Sequence, residues 1–145
     1  MFPSSYTVNI LNASVKGTLV AHLGIKIIEI GNDFLIAKMP VDHRTKQPMG
    51  LLHGGASVVL SETLGSLAAS LLVDKSVEFP VGLEINANHI KPVKSGFVYG
   101  KVRPIHVGRR THIWQTDITN EVGKLICTSK LTVAIIEKDN APGNY

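Results

Sequence analysis

Residues 50–72 read GLLHGGASVVLSETLGSLAASLL, with two glycines near the head and a single acid, Glu62, in the middle. Rotated at about 100° per residue, positions 55–72 put Leu60, Leu64, Leu67 and Leu71 on one stripe, the pattern of a helix lying on a sheet. The opposite face carries Gly55, Val58, Val59, Glu62, Ser66 and Ala69. It is small and nearly uncharged, which is odd for a face turned to water, so a second subunit is expected to cover it. An acid retained there is expensive unless it is paired or used. From the helix pattern alone, a carboxylate bonded to Ser66 or to a partner chain carries the same weight as a functional one.

Before this helix, residues 8–16 predict a short helix with Thr7 as cap and Gly17 as stop. The segments LGIKIIEIG and FLIAKMPV read as strands turned at Asn32 and Asp33, and DHRTKQPMG as a polar loop. Four strand-like segments follow the long helix: VGLEINANHIKP, FVYGKVRPIHV, THIWQTDIT and KLICTSKLTVAII. The turn signals KSG, GRR and NEVG between them predict an antiparallel meander. Together these elements give an α+β domain, a curved antiparallel sheet wrapped around one long central helix. The domain spans residues 1–137, and residues 138–145 are expected to form a flexible tail.

A chain of 145 residues, 44% hydrophobic and 18% charged, is long enough and apolar enough to bury a core, which excludes a disordered protein. No window reaches the apolar length of a membrane span, and MFPSSY lacks the pattern of a secretion signal. A cytoplasmic protein without membrane contact is expected. The lone Cys127 excludes an internal disulfide and a cysteine-based metal cluster, and reads as a buried strand thiol. His22, His43, His53, His89, His106 and His112 include no helical i, i+4 pair and no HExxH, so no metal is expected. The net charge of +4 is modest, but Lys91, Lys94, Lys101, Arg103, Arg109 and Arg110 fall between Ile85 and Gln115 with no acid among them. Such a block points to an anionic partner, either nucleic acid or a phosphate-bearing small molecule, or to a solvated basic face. Strand alternation over residues 81–90 puts His89 on the face of Val81, Leu83 and Ile85, toward the core.

The helix start adds a second chemical feature. HGGA leaves the first-turn N–H groups and the positive dipole end open to a ligand, which suits a carbonyl oxygen that becomes an oxyanion. Gly55 and Glu62 are seven residues apart, so they share a face but lie roughly 10 Å apart along the axis. Glu62 therefore does not reach a carbonyl held at its own helix N-terminus. An antiparallel copy of the helix across a two-fold axis brings its Glu62 there, so the pattern suggests a site shared between subunits.

The combination of VDHRTKQPMGLLHGGASVVLSETLGS, VGLEINANHIKP and RPIHVGRR resembles the hotdog-fold acyl-CoA thioesterases over residues 23–136. It is most similar to the subgroup that contains 1,4-dihydroxy-2-naphthoyl-CoA thioesterase of menaquinone synthesis and the enterobactin-pathway proofreading thioesterase. The resemblance implies the hotdog fold, a dimer of dimers, and no cofactor beyond the CoA of the substrate. It implies Glu62 as nucleophile or general base and the Gly55 N–H as the donor that polarises the thioester carbonyl. Gln47 and His53 then position that end of the substrate, and Ser66 supplies a hydroxyl near the attacking group. For CoA and the acyl region it implies Gly82, the run His89, Ile90, Lys91 and Pro92, and the loop His106, Val107, Gly108, Arg109, Arg110 and Thr111.

These expectations define an acyl-CoA thioester hydrolase, best matched to an aromatic acyl group such as 1,4-dihydroxy-2-naphthoyl or a hydroxybenzoyl type. Glu62 attacks to give a mixed anhydride or deprotonates a water, and the sequence leaves both open. A hotdog hydratase or dehydratase, with His53 and Glu62 moving a proton at carbon, is the alternative. A non-catalytic CoA or nucleic-acid binding module ranks below both, because Phe97, Tyr99 and Trp114 are the only aromatics in the basic segment.

Overall fold

The computed structural model describes residues 2–138. Thr7 caps α1 (Val8–Ser14) with its side-chain oxygen, which accepts from the Ile10 N–H, and Gly17 at φ +74 ends the turn after it. A four-residue helix that the sequence reading missed, α2 (Leu19–His22), leads into β1 (Lys26–Ile30) and β2 (Leu35–Pro40). The long helix is α3 (Gly54–Ser70), followed by β3 (Glu78–His89), β4 (Phe97–Val107), β5 (Thr111–Asn120) and β6 (Leu125–Glu137). No helix among the described residues is long and apolar enough to cross a membrane. The tail expected from residue 138 onward lies outside the described residues except for Lys138, whose N–H donates to the Val77 carbonyl at 2.8 Å.

The strands form one sheet in the order β1-β2-β4-β5-β6-β3, each neighbour antiparallel. The meander expected of all four later strands holds for β4, β5 and β6 only. β3 pairs with β6 at the far edge, because residues 90–96 are a crossing segment rather than a hairpin turn. Ile90 and Lys91 N–H donate to Ile126, Val93 accepts from Leu52, and Gly96 accepts from Val41, which carries the chain along the end of the sheet.

α3 packs on the concave face. Leu60 and Leu64 are fully buried there, with Leu35, Ala37, Met39, Val98, Val102, Trp114, Ile118, Cys127 and Val133 facing them from four strands. The approach is too close for ordinary side chains at two points. A Cβ on Gly65 would lie 2.6 Å from Leu131 Cδ2, and one on Gly100 would lie 2.8 Å from Leu64 Cδ1. The leucine stripe is corrected in part: Leu71 is buried, but Leu67 is only half-buried and turns to a groove beside Glu62. Ala69, assigned above to the outer face, is fully buried. Cys127 is buried as expected, and burial, reinforced by Asp117, pushes its thiol pKa up.

The edge strand β1 is closed by a side chain. Asn12 donates from Nδ2 to the Ile27 carbonyl and accepts the Ile27 N–H at Oδ1, both at 2.9 Å. The amide thus imitates one residue of a neighbouring strand at the point where the β1–β2 register slips. Asn12→Ala leaves both backbone groups without their partner and is expected to lower the unfolding free energy by about 2 kcal/mol in urea titration. Asn12→Asp, which keeps only the acceptor, should fall between the two.

His112 is the one buried histidine, 3% exposed, with its ring edge-on to Trp114. Burial pushes its pKa below the ordinary 6.5, against a hydrogen bond to the Gly108 backbone that acts the other way. A depressed folded-state pKa means that stability is complete above about pH 6.5 and is withdrawn as pH falls below it. The unfolding free energy of the wild type should therefore drop, as pH falls below about 6.5, more steeply than that of His112→Gln.

Candidate functional site

The two glycines of the HGG motif have separate physical reasons. A Cβ on Gly54 would sit 2.7 Å from Nε2 of His89, and one on Gly55 would sit 2.9 Å from Nδ1 of His53. Each glycine makes room for an imidazole. His53 is the N-cap of α3, and its Nδ1 accepts the Gly55 N–H at 2.8 Å. That bond requires a neutral ring with its proton on Nε2. It also corrects the expectation that the Gly55 N–H stands open, since the preceding side chain already holds it.

Against this helix start lies a cavity of about 340 Å³ lined by Gln47, Gly54, Ser57, His89 and Lys91 among others. Ile90 and Pro92 border it as well. His89 faces the start of α3, as its predicted inward direction requires, but it stays exposed in the single chain, and its direction has another cause than simple alternation. The β3–β6 register shifts between Gly82 and Glu84, so alternation flips at Leu83. Gly82 faces in before the bulge, Ile85, Ala87 and His89 face in after it, and Leu83 is left 64% exposed. Val81 is likewise exposed rather than buried.

Gly82 meets Glu62: a Cβ there would come within 3.0 Å of Oε1. Glu62 itself is exposed in the single chain, with no hydrogen bond or ion pair among the described residues. The bond to Ser66, one of the alternatives the helix pattern leaves open, is not made among the described residues. Both residues line a groove of about 440 Å³ whose other walls are Val15, Leu19, Val20, Val59 and Leu67. Sequence reasoning missed the N-terminal wall, because α2 is too short to show a helical period.

The candidate residues do not gather into one place within a single chain. His89 pairs with Cys127, whereas Thr111 pairs with Ala134, which pairs on its other side with Val81. His89 and Gly82 are thus separated by most of β3, roughly 23 Å at strand rise. The loop of His106, Val107, Gly108, Arg109, Arg110 and Thr111 lies at the Gly82 end, where Arg109 and Arg110 border a recess with Glu78 and Glu137. The basic segment also divides. Lys101 and Arg103 sit on the outer sheet face, with Lys101 Nζ 3.8 Å from the Phe34 ring centroid. Trp114 is buried, so it offers no surface for base stacking, and Phe97 lies under Lys38 on the outer face. Among the described residues no three His, Cys, Asp or Glu stand together as a metal site.

A thioesterase superfamily model matches residues 49–127, which cover α3, the helix-start glycines and the strands up to Cys127. The chain belongs to the thioesterase superfamily. It is 51% identical over 130 residues to 1,4-dihydroxy-2-naphthoyl-CoA hydrolase of Escherichia coli, covering 90% of this chain and 95% of that protein. It is 48% identical over 130 residues to the proofreading thioesterase EntH of Cronobacter turicensis, covering 90% and 94%. A mutant thioesterase from Pseudomonas aeruginosa superposes with a TM-score of 0.92 at 46% identity, over 94% of this chain and 98% of that one. The fold is the hotdog fold and the protein is a thioester hydrolase.

For this thioesterase the glycine contacts set an expectation. Gly54→Ala and Gly55→Ala each displace an imidazole and are expected to lower kcat/KM for thiol release at least tenfold. Melting temperature should change by only a few degrees, since the helix gains propensity at both positions. Unchanged activity in either variant would show that the ring positions do not matter.

Proposed function

We propose that the protein is a cytoplasmic acyl-CoA thioesterase acting on an aromatic acyl group, of the 1,4-dihydroxy-2-naphthoyl or hydroxybenzoyl class. Two copies of the chain build each site, within a dimer of dimers. One observation carries this reading. The start of α3 opens through Gly54 and Ser57 into one recess and Glu62 with Ser66 into another, so an isolated chain holds two halves that do not meet. The separation of the His89 and Arg109 segments along the strand supports the same arrangement. The name of one relative, 1,4-dihydroxy-2-naphthoyl-CoA hydrolase, supports the aromatic acyl group.

On this reading the thioester carbonyl lies at the N-terminus of α3 in one copy, beside Gln47, His53 and Gly55. The oxygen takes an N–H there, displacing His53 from Gly55 when that donor is used. Glu62 of the other copy, with Ser66 beside it, attacks the carbonyl carbon to form an anhydride or removes a proton from the attacking water. The C–S bond breaks, CoA leaves as a thiolate, and hydrolysis releases the carboxylate product. Either role for Glu62 needs the ionised carboxylate. The acyl ring occupies the groove of Val15, Leu19, Val20, Val59 and Leu67. CoA phosphates meet Arg109 and Arg110, which are exposed in a glycine-containing turn. No cofactor enters the reaction.

The deciding experiment is thiol release from a panel of aromatic and aliphatic acyl-CoAs by wild type and Glu62→Gln. Aromatic thioesters should be preferred, and the variant should lose at least a hundredfold in kcat while assembling normally. No thiol release by wild type, or a fully active variant, sinks the reading. Sharing is tested by mixing inactive Glu62→Gln with the strongly slowed Gln47→Ala after subunit exchange. Statistical dimers with one intact site restore about a quarter of wild-type activity. A site contained in one chain gives none.

A further inference from the structure

The cavity at the start of α3 holds a side-chain amide whose orientation is determined by its own loop. Residues 46–52 fold back on themselves: Lys46 bridges Leu52, the Gln47 N–H donates to Leu51 O at 2.9 Å, and the Gly50 N–H donates to Gln47 O at 2.9 Å. The base of the loop is anchored by the Leu52 N–H to Val93 O and the His53 N–H to Thr45 O, both 2.8 Å, with Thr45 buried beneath. Inside this turn the Met49 N–H donates to Gln47 Oε1.

A glutamine on an unconstrained chain offers either end of its amide, because the terminal torsion is two-fold and broad. A backbone N–H removes that freedom, since it donates and never accepts. With Oε1 held by Met49, the end of Gln47 left for the cavity is Nε2, which carries two donors. The other N–H that the thioester reading places here, that of Gly55, is held by His53 at 2.8 Å. Of these two donors in the resting protein, Gln47 Nε2 is the one already oriented and without a partner.

We propose that the Pro48, Met49 and Gly50 turn is a positioning device for the reaction: Met49 N–H holds Gln47 Oε1 so that Nε2 is offered to the thioester carbonyl oxygen. This rests on the reading of the cavity as the thioester end of the site. Gly50 is the residue that sets the turn. Its φ is +77, and a Cβ there would meet nothing within 4 Å, so a side chain at this position acts through the backbone torsion and not through a clash. Gly50 and Met49 are positioning residues, because they act through Gln47.

The test compares Gly50→Val, Gly50→Asn, Gln47→Ala, Gln47→Glu and the double variant Gly50→Val with Gln47→Ala. Valine disfavours positive φ, whereas asparagine tolerates it. Gly50→Val is expected to lower kcat about tenfold and Gly50→Asn to stay within about threefold of wild type. Adding Gly50→Val to Gln47→Ala should cost less than about twofold more, since the lock then has nothing to hold. Gln47→Glu, which can still accept from Met49 but has no N–H to give, should be at least as slow as Gln47→Ala. Independently of activity, amide exchange at Met49 should be several-fold slower in wild type than in Gln47→Ala. Multiplicative effects of Gly50→Val and Gln47→Ala, wild-type turnover by Gln47→Glu, or equal Met49 exchange would each overturn the proposal. If wild type releases no thiol from any acyl-CoA, the thioester reading and the carbonyl role fall together, and the exchange comparison still decides whether the lock exists.

Discussion

The closeness of α3 to the sheet is the constraint on which the rest of the molecule depends. At Gly65 and Gly100 the helix and strands approach to a distance that excludes a Cβ without displacement of Leu131 or Leu64. Such contact sets the depth of the helix in the concave face, and the same depth brings Gly82 of β3 against Glu62 and His89 against Gly54. A single bulge at Leu83 makes both contacts possible. Without the extra residue, strand alternation would turn one of Gly82 and His89 away from the helix. Packing and candidate chemistry are therefore joined through one strand, and a change at the helix–sheet contact is felt at both ends of it.

Much of this architecture was legible in the sequence because its signals are local. The cap at Thr7 and the turn at residues 31–34, closed by a Gly31 N–H bond to Phe34 O, follow from short-range chemistry, although the first helix ends at Ser14 and not at residue 16. β4 begins and ends where its alternating pattern does. What was illegible depends on distant partners. The segment 90–96 contains a turn signal, yet backbone bonds to Ile126, Leu52 and Val41 lead it across the end of the sheet, and no local rule reports those partners. The bulge at Leu83 is invisible for the same reason, since it exists only in register with β6. Leu67 belongs by periodicity to the core stripe, but the wall it meets comes from Leu19 and Val20, more than forty residues earlier in the chain.

Spacing in the sequence groups some of the candidate residues and does not report their state. Gln47, His89 and Gly54 line one cavity and Glu62 and Ser66 another, whereas Gly55 and His53 are not among the residues that line the first. No local signal announces that His53 occupies the Gly55 N–H, because histidine is an unusual cap and HGG reads equally as an open nest. Nor does any show that the basic segment is split among two strand ends and the outer face. Spacing in sequence reports charge density, whereas a twisted antiparallel sheet sends successive pairs of cations in different directions.

The lone acid can now be understood from the energetics of its surroundings. In one chain Glu62 is solvated, so leaving it without a hydrogen bond costs little. Its neighbours on that face, Val59, Thr63, Ser66 and Leu67, bring no cation toward it. In the proposed assembly a second copy covers this face and removes water from it. The carboxylate is then a poorly stabilised anion held beside an acyl group, and both proton uptake and attack on carbon spread or transfer that charge. A cation placed nearby would stabilise the resting anion and weaken it as base and nucleophile alike. The small, uncharged helix face is therefore a requirement of the proposed chemistry as much as of subunit packing.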